Sequence, residues 1–206
     1  MKDFYDTYAG EIVNNFPVDK TTPVDEIKKQ HNAKAICKQC TCSSPVFGYG
    51  SYYPDIMIIG MEPTEYDTTI GIPFASKEQH KVHGYTEYLK RSPHISTFWY
   101  TYLHMCREGG GDCFDRLVLE LSIANPRWLV ALGEDVLNAL KGIGSPTFPG
   151  TEGGVAHMIK LGTQYYPVYI LTEPEKLYHD PEKYRSQAKY ELDFISNDTR
   201  KATDYK

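Results

Sequence analysis

The chain has 206 residues, 41% of them hydrophobic and 24% charged, which suits one globular domain with a sizeable core and excludes a disordered chain. The formal net charge of −5 argues against nucleic-acid binding by bulk attraction and leaves open a local basic surface. No apolar run reaches bilayer length, and the first residues lack the basic and apolar stretches of a leader, so the expectation is a cytoplasmic monomer, bacterial or in a viral host, without a membrane partner or disulfides.

In chain order, residues 1–36 are polar with scattered aromatics and no clean period, and read as an N-terminal extension packed on the domain. Ile56-Met57-Ile58-Ile59, closed by Gly60, is a continuous apolar run that suits a central parallel strand buried on both faces. Helical patterning follows over 79–91, and a second strand over 96–103. Leu117, Val118 and Leu121 carry helical spacing over 112–124. Arg127-Trp128-Leu129-Val130-Ala131-Leu132 is a third strand, closed by Gly133. A short helix over 134–140 begins with acids at its positive end. Val168-Tyr169-Ile170-Leu171 is a fourth strand. A closing helix over 180–195 has Pro181 in its first turn. The remainder, 198–206, reads as a flexible tail. Alternating strands and helices predict a three-layer α/β/α sandwich around a central four-stranded parallel sheet. In such sheets ligands bind at the carboxyl ends of strands. Here those ends are Gly60-Met61-Glu62-Pro63, Leu132-Gly133 and Thr172-Glu173-Pro174.

Five cysteines in such a chain point to metal or catalysis. Cys37 and Cys40 form a C-x-x-C pair, and Cys106 and Cys113 flank a glycine-rich stretch; Cys42 is the spare. Four thiolates suit zinc or an iron–sulfur cluster, and spacing alone does not separate these from each other, from a redox pair, or from reduced buried thiols.

The ordered motifs over 37–195 resemble the family 4, iron–sulfur type of the uracil-DNA glycosylase superfamily. The resemblance is carried by Cys37…Cys40, Val46-Phe47-Gly48-Tyr49-Gly50, Gly60-Met61-Glu62-Pro63-Thr64 and Gly71-Ile72-Pro73-Phe74. Cys106-Arg107, Cys113 and Ala131-Leu132-Gly133 continue it. It implies a uracil-DNA glycosylase-like domain over 37–197 and a [4Fe-4S] cluster on Cys37, Cys40, Cys106 and Cys113. The implied partner is DNA, single- or double-stranded, with the target base flipped out of the stack.

The resemblance also implies a set of working residues. Phe74 falls on the family's base-stacking Phe, and Asp67 where a second acid is frequent. Met61 stands where the family has a Glu, but Glu62 falls where related glycosylases place Asp or Asn. A carboxylate is thereby retained to orient water or steady an oxocarbenium-like sugar. Tyr102 stands where an Asn reads the pyrimidine edge, and Glu173 where a His stabilises the leaving base. A phenol lacks an amide's donor-plus-acceptor pair, and an ionised carboxylate repels a departing anion unless it holds a proton or meets an amine. The expectation is DNA base excision on a uracil-like or modified pyrimidine, with Glu62, Asp67 and Glu173 as catalytic candidates and Phe74, Tyr102 and Met61 against the base. The alternatives are a non-catalytic DNA- or partner-binding protein and a base-modifying transferase on the same fold.

Overall fold

The computed structural model describes residues 44–107, 113–143, 145–146 and 157–204. The expected extension over 1–36, together with Cys37, Cys40 and Cys42, lies outside the described residues.

The elements run β1 (Tyr49–Gly50), β2 (Ile56–Gly60), α1 (Glu65–Ile70), α2 (Lys81–Leu89), β3 (Phe98–Tyr102), α3 (Phe114–Ala124), β4 (Trp128–Leu132), α4 (Glu134–Ile143), β5 (Ser145–Pro146), β6 (His157–Leu161), β7 (Gln164–Leu171), α5 (Pro174–His179) and α6 (Pro181–Asp204). One sheet takes the strands in the order β1-β3-β2-β4-β7-β6-β5. Its centre is parallel: Ile58 faces Tyr100 of β3 on one side and Val130 of β4 on the other, and Val130 faces Tyr169 of β7. From β2 the chain goes first to β3 and then back across to β4, so the crevice beside β2 is a topological switch point.

The side-chain period of two sorts the core into two layers. Ile56 and Ile58 pack with Val82, Tyr85 and Leu89 of α2 and with Leu192 and Ile195 of α6. Met57 and Ile59 pack on the opposite face with Leu117 and Leu121 of α3 and Val136 and Leu140 of α4. Helices therefore cover both faces of the sheet, as α/β patterning predicts.

The sheet is mixed, which corrects the expectation of four parallel strands alone. β1 pairs antiparallel with β3, and β6 runs antiparallel to both β5 and β7. The last addition is a hairpin closed between Leu161 and Gln164, with Gly162 at φ 62°, the left-handed conformation such tight turns demand. The closing helix also runs on past Asn197 to Asp204, over residues read as a flexible tail. It buries Ala188, Leu192 and Ile195, and one turn further Thr199 bonds back to the Ile195 carbonyl at 2.8 Å. Among the described residues no helix is long and apolar enough to cross a membrane.

Candidate functional site

At the carboxyl ends of β2, β4 and β7 a pocket of about 300 Å³ opens at the switch point. Gly60, Met61 and Glu62 line it from β2, Leu132 from β4, and Asp135 and Val136 from the first turn of α4. Phe74 and Gln79 close one side, and Glu173, Pro174 and Glu175 the other.

Local chain chemistry explains this convergence. Strand β2 ends in a glycine because the space is already taken: a Cβ on Gly60 would stand 2.8 Å from the Tyr102 ring and 2.9 Å from that of Phe74. After it, Thr64 caps α1 and Asp67 completes the capping box, Thr64 N–H donating to the Asp67 carboxylate at 2.9 Å. Gly71 then ends α1 at φ 74° and turns the chain back toward the sheet.

Phe74 arrives in the left-handed region, at φ 59°, which a bulky L residue adopts only when its surroundings force it. Two side chains do so. The Phe74 N–H donates to the Tyr102 hydroxyl at 2.8 Å, and the His83 ring bonds the Phe74 carbonyl. The rings of Phe74 and Tyr102 lie 4.6 Å apart at 44°. Burial, with His80 beside it, lowers His83 to about 4, so the ring is neutral at ordinary pH.

The far wall is clamped as firmly. Thr172 donates through its N–H and hydroxyl to Glu191 of α6 at 2.6 and 2.8 Å, and Tyr85 of α2 donates to the Thr172 carbonyl at 2.9 Å. Glu173 lies across Gly133, whose φ of 94° suits glycine and where a Cβ would meet Glu173 Oε1 at 2.4 Å. Its carboxylate pairs with Lys176 at 2.7 Å.

Of the residues singled out in the sequence, Met61, Glu62, Phe74 and Glu173 share this pocket. Tyr102 and Asp67 do not line it. Both are fully buried behind Phe74, where the Tyr102 hydroxyl lies 2.9 Å from Asp67 Oδ2 and the Ser76 N–H donates to Asp67 Oδ1 at 2.8 Å. Tyr102 is thus a strut under Phe74 rather than a wall, and Asp67 a buried anchor rather than a loop acid.

The pocket adds three polar residues that sequence reasoning missed: Gln79, Asp135 and Glu175. Asp135 was visible only as an acid opening a helix. Glu175 stands two residues after Glu173 at a strand end, a signal that was present. Gln79 offers no sequence signal, because its position depends on how the loop after Phe74 folds. With Glu62 and Glu173 they place four carboxylates and one amide around an aromatic ring, a site suited to a planar ligand that donates hydrogen bonds.

The two described cysteines of the expected metal set lie at the end of the β3 segment and at the N-cap of α3, each 2% exposed. Cys106 is disulfide-bonded, against the expectation of a chain without disulfides, and Cys113 is a free thiol. Burial alone would push the Cys113 thiol up. Bonding to His104 and to the Met105 backbone, with Arg116 nearby, instead lowers it below the ordinary thiol value. Val46 donates to the Met105 carbonyl at 2.8 Å, laying the segment that follows the C-x-x-C pair beside Cys106. Among the described residues no three His, Cys, Asp or Glu side chains are grouped to hold a metal ion.

No protein-family model matches this chain, and no curated protein matches it either.

Proposed function

We propose that the chain is a DNA base-excision hydrolase of the uracil-DNA glycosylase kind, acting on a flipped pyrimidine that carries a hydrogen-bond donor. The observation that carries this reading is the pocket at the β2 switch point, lined by Phe74 and Glu62, whose cavity of about 300 Å³ has room for a single flipped base. Phe74 supplies the stacking face, and its backbone is locked from both sides. Glu62 orients water at the sugar carbon. Glu173, neutralised in part by Lys176, and Glu175 accept hydrogen bonds from an amino or hydroxymethyl substituent of the base. Water adds its oxygen to the anomeric carbon, and the base departs with the electrons of the N-glycosidic bond.

Cys106 and Cys113 fit the soft-donor requirement of an iron–sulfur cluster: both are buried, and at Cys113 bonding to His104 lowers the thiol against the effect of burial. Cys37 and Cys40 are the proposed partners. Ligation requires the Cys106 sulfur in its reduced form. When bound, the cluster would staple the loops behind the sheet.

A second reading, a non-catalytic binding protein, is favoured by the four carboxylates around a site where a leaving base would gain negative charge. One experiment separates the two. Protein purified anaerobically is incubated with oligonucleotides carrying uracil, 5-hydroxymethyluracil, other modified pyrimidines or normal bases, and the products are weighed. Mass loss equal to one free base, abolished by Glu62→Gln, is the expected result. A mass gain with an added donor identifies a transferase. No mass change with salt-sensitive retention of DNA overturns the hydrolase reading. Iron and sulfide assayed on the same protein test the cluster, and Cys113→Ser is expected to release it.

A further inference from the structure

Away from the pocket, a second concavity of about 260 Å³ lies between α2, α5 and α6. Its floor is apolar. Tyr85, Ala188 and Leu192 are buried there, and Leu177 is half-buried beside them. Its rim is cationic: Lys81 of α2 and Arg185 and Lys189 of α6 stand around it, all exposed, and no acidic side chain among the described residues lines it. Asp193 holds Lys189 at 2.7 Å. Lys81 and Arg185 have no carboxylate partner among the described residues, so their charge is open to an incoming anion.

Helix α2 also lacks a side chain at this spot. Gly84 lies inside the helix and lines the groove, although glycine is the poorest helix former after proline. Neither backbone nor packing explains it. Its φ is not left-handed, and a Cβ there would meet no atom within 4 Å. An apolar floor, two unpaired cations and a bare stretch of helix together describe a surface shaped for an occupant.

The chain itself contains a complementary segment outside the described residues. Residues 3–19 carry Asp3, Asp6, Glu11 and Asp19 and no Lys, Arg or His. Among these acids stand Phe4, Tyr5, Tyr8, Ile12, Val13 and Phe16. Acids mixed with aromatic and aliphatic side chains match a cationic rim around an apolar floor. The 24 residues 20–43 join this segment to the described chain at Ser44. Fully extended they span about 80 Å. A domain of this size is about 40 Å across, so the segment can reach the groove from any face.

We propose that residues 3–19 dock in cis on the α2–α5–α6 groove. Their apolar side chains cover the Tyr85–Leu192 floor and the space over Gly84, and their carboxylates meet Lys81 and Arg185. This gives the extension expected to pack on the domain a place to do so, and it does not depend on the base-excision reading. It bears on any nucleic-acid partner all the same. Phosphates running along α2 meet the same two cations, and a tethered acidic segment competes for them at high effective concentration. A strand occupies the groove only by displacing it.

Carbodiimide coupling joins a carboxylate to a lysine amine in contact, and so reads the docking on the full chain without DNA. Digestion and mass spectrometry should find Lys81 linked to Asp3, Asp6, Glu11 or Asp19 in protein that runs as a monomer. The Lys189–Asp193 pair is the positive control for coupling. Arg185→Glu keeps Lys81 and should cut the yield of its link about fivefold. Gly84→Leu puts a better helix former into open space, so it should lose the link with no fall in unfolding temperature. Links from the segment to other lysines alone overturn the proposal. Links to Lys81 found only in covalent dimers overturn docking in cis and seat a second copy's segment in the groove. No link where the control couples leaves the groove to phosphates and overturns it as well. So does a link that survives undiminished in either folded variant.

Discussion

His83 is the residue on which the pocket's pH tolerance turns. Its ring holds the carbonyl of Phe74, and burial, then His80, keep it down at about 4 against an ordinary 6.5. Unfolding restores the ordinary value. Between about pH 6.5 and pH 4 the unfolded chain therefore binds a proton that the folded chain refuses, and stability falls as pH drops through that window. The fall amounts to no more than about 3 kcal/mol from this group. Urea unfolding at steps across the window should show this slope in the native chain and a flatter one in His83→Gln, which retains a donor for the Phe74 carbonyl without the titration. His80 is also lowered, by burial and then by Lys81, and contributes to the slope that remains.

At the scale of elements, α3 carries a buried ion pair that braces the sheet. Arg116 and Glu120, one turn apart, lie 2.7 Å from each other and are fully buried. Arg116 donates to Thr101 at 2.9 Å and to the carbonyls of Tyr102 and Leu103. Glu120 accepts from Gly48 N–H at 3.2 Å. The pair thereby joins the end of β3 to the segment entering β1. Glu120→Ala leaves an uncompensated buried guanidinium, and chemical denaturation should show a loss of about 3–5 kcal/mol; Arg116→Met with Glu120→Leu should recover most of it. The sequence shows less of this pair than of the strands it braces. β2 and β4 were legible because both faces are buried, leaving continuous apolar runs. The β6–β7 hairpin was not, since Lys160 and Pro167 interrupt it and Pro167 reads as a strand start. Helix α1 was missed although Thr64-x-x-Asp67 is a capping signature, because Asp67 was weighed as a site acid and not as a cap. The position of Gln79 follows from tertiary folding alone, so its place in the pocket wall was invisible before the chain was folded.

For the whole molecule, charge decides how the proposed DNA partner approaches. The pocket is acidic, but on the α2–α5–α6 side lies a groove of about 260 Å³ rimmed by Lys81, Arg185 and Lys189, with Tyr85, Leu177 and Leu192 in its lining. Helix α2 links the two, since Gln79, just before it, lines the pocket and Lys81 opens the groove. If phosphates lie along this groove, Lys81→Glu and Arg185→Glu should each weaken binding of any oligonucleotide and reduce the logarithmic salt slope by about one, with thermal unfolding unchanged. Fluorescence anisotropy over a range of salt reads both quantities. The strained backbone at Phe74 has a consequence of a different kind. A left-handed backbone costs a bulky residue about 1–3 kcal/mol, and burial of the Phe74 ring against Tyr100 and Tyr102 offsets that cost. A descendant that no longer used the pocket would need only some buried apolar side chain at that position. One that stacks a base there, as proposed, would need an aromatic ring in particular.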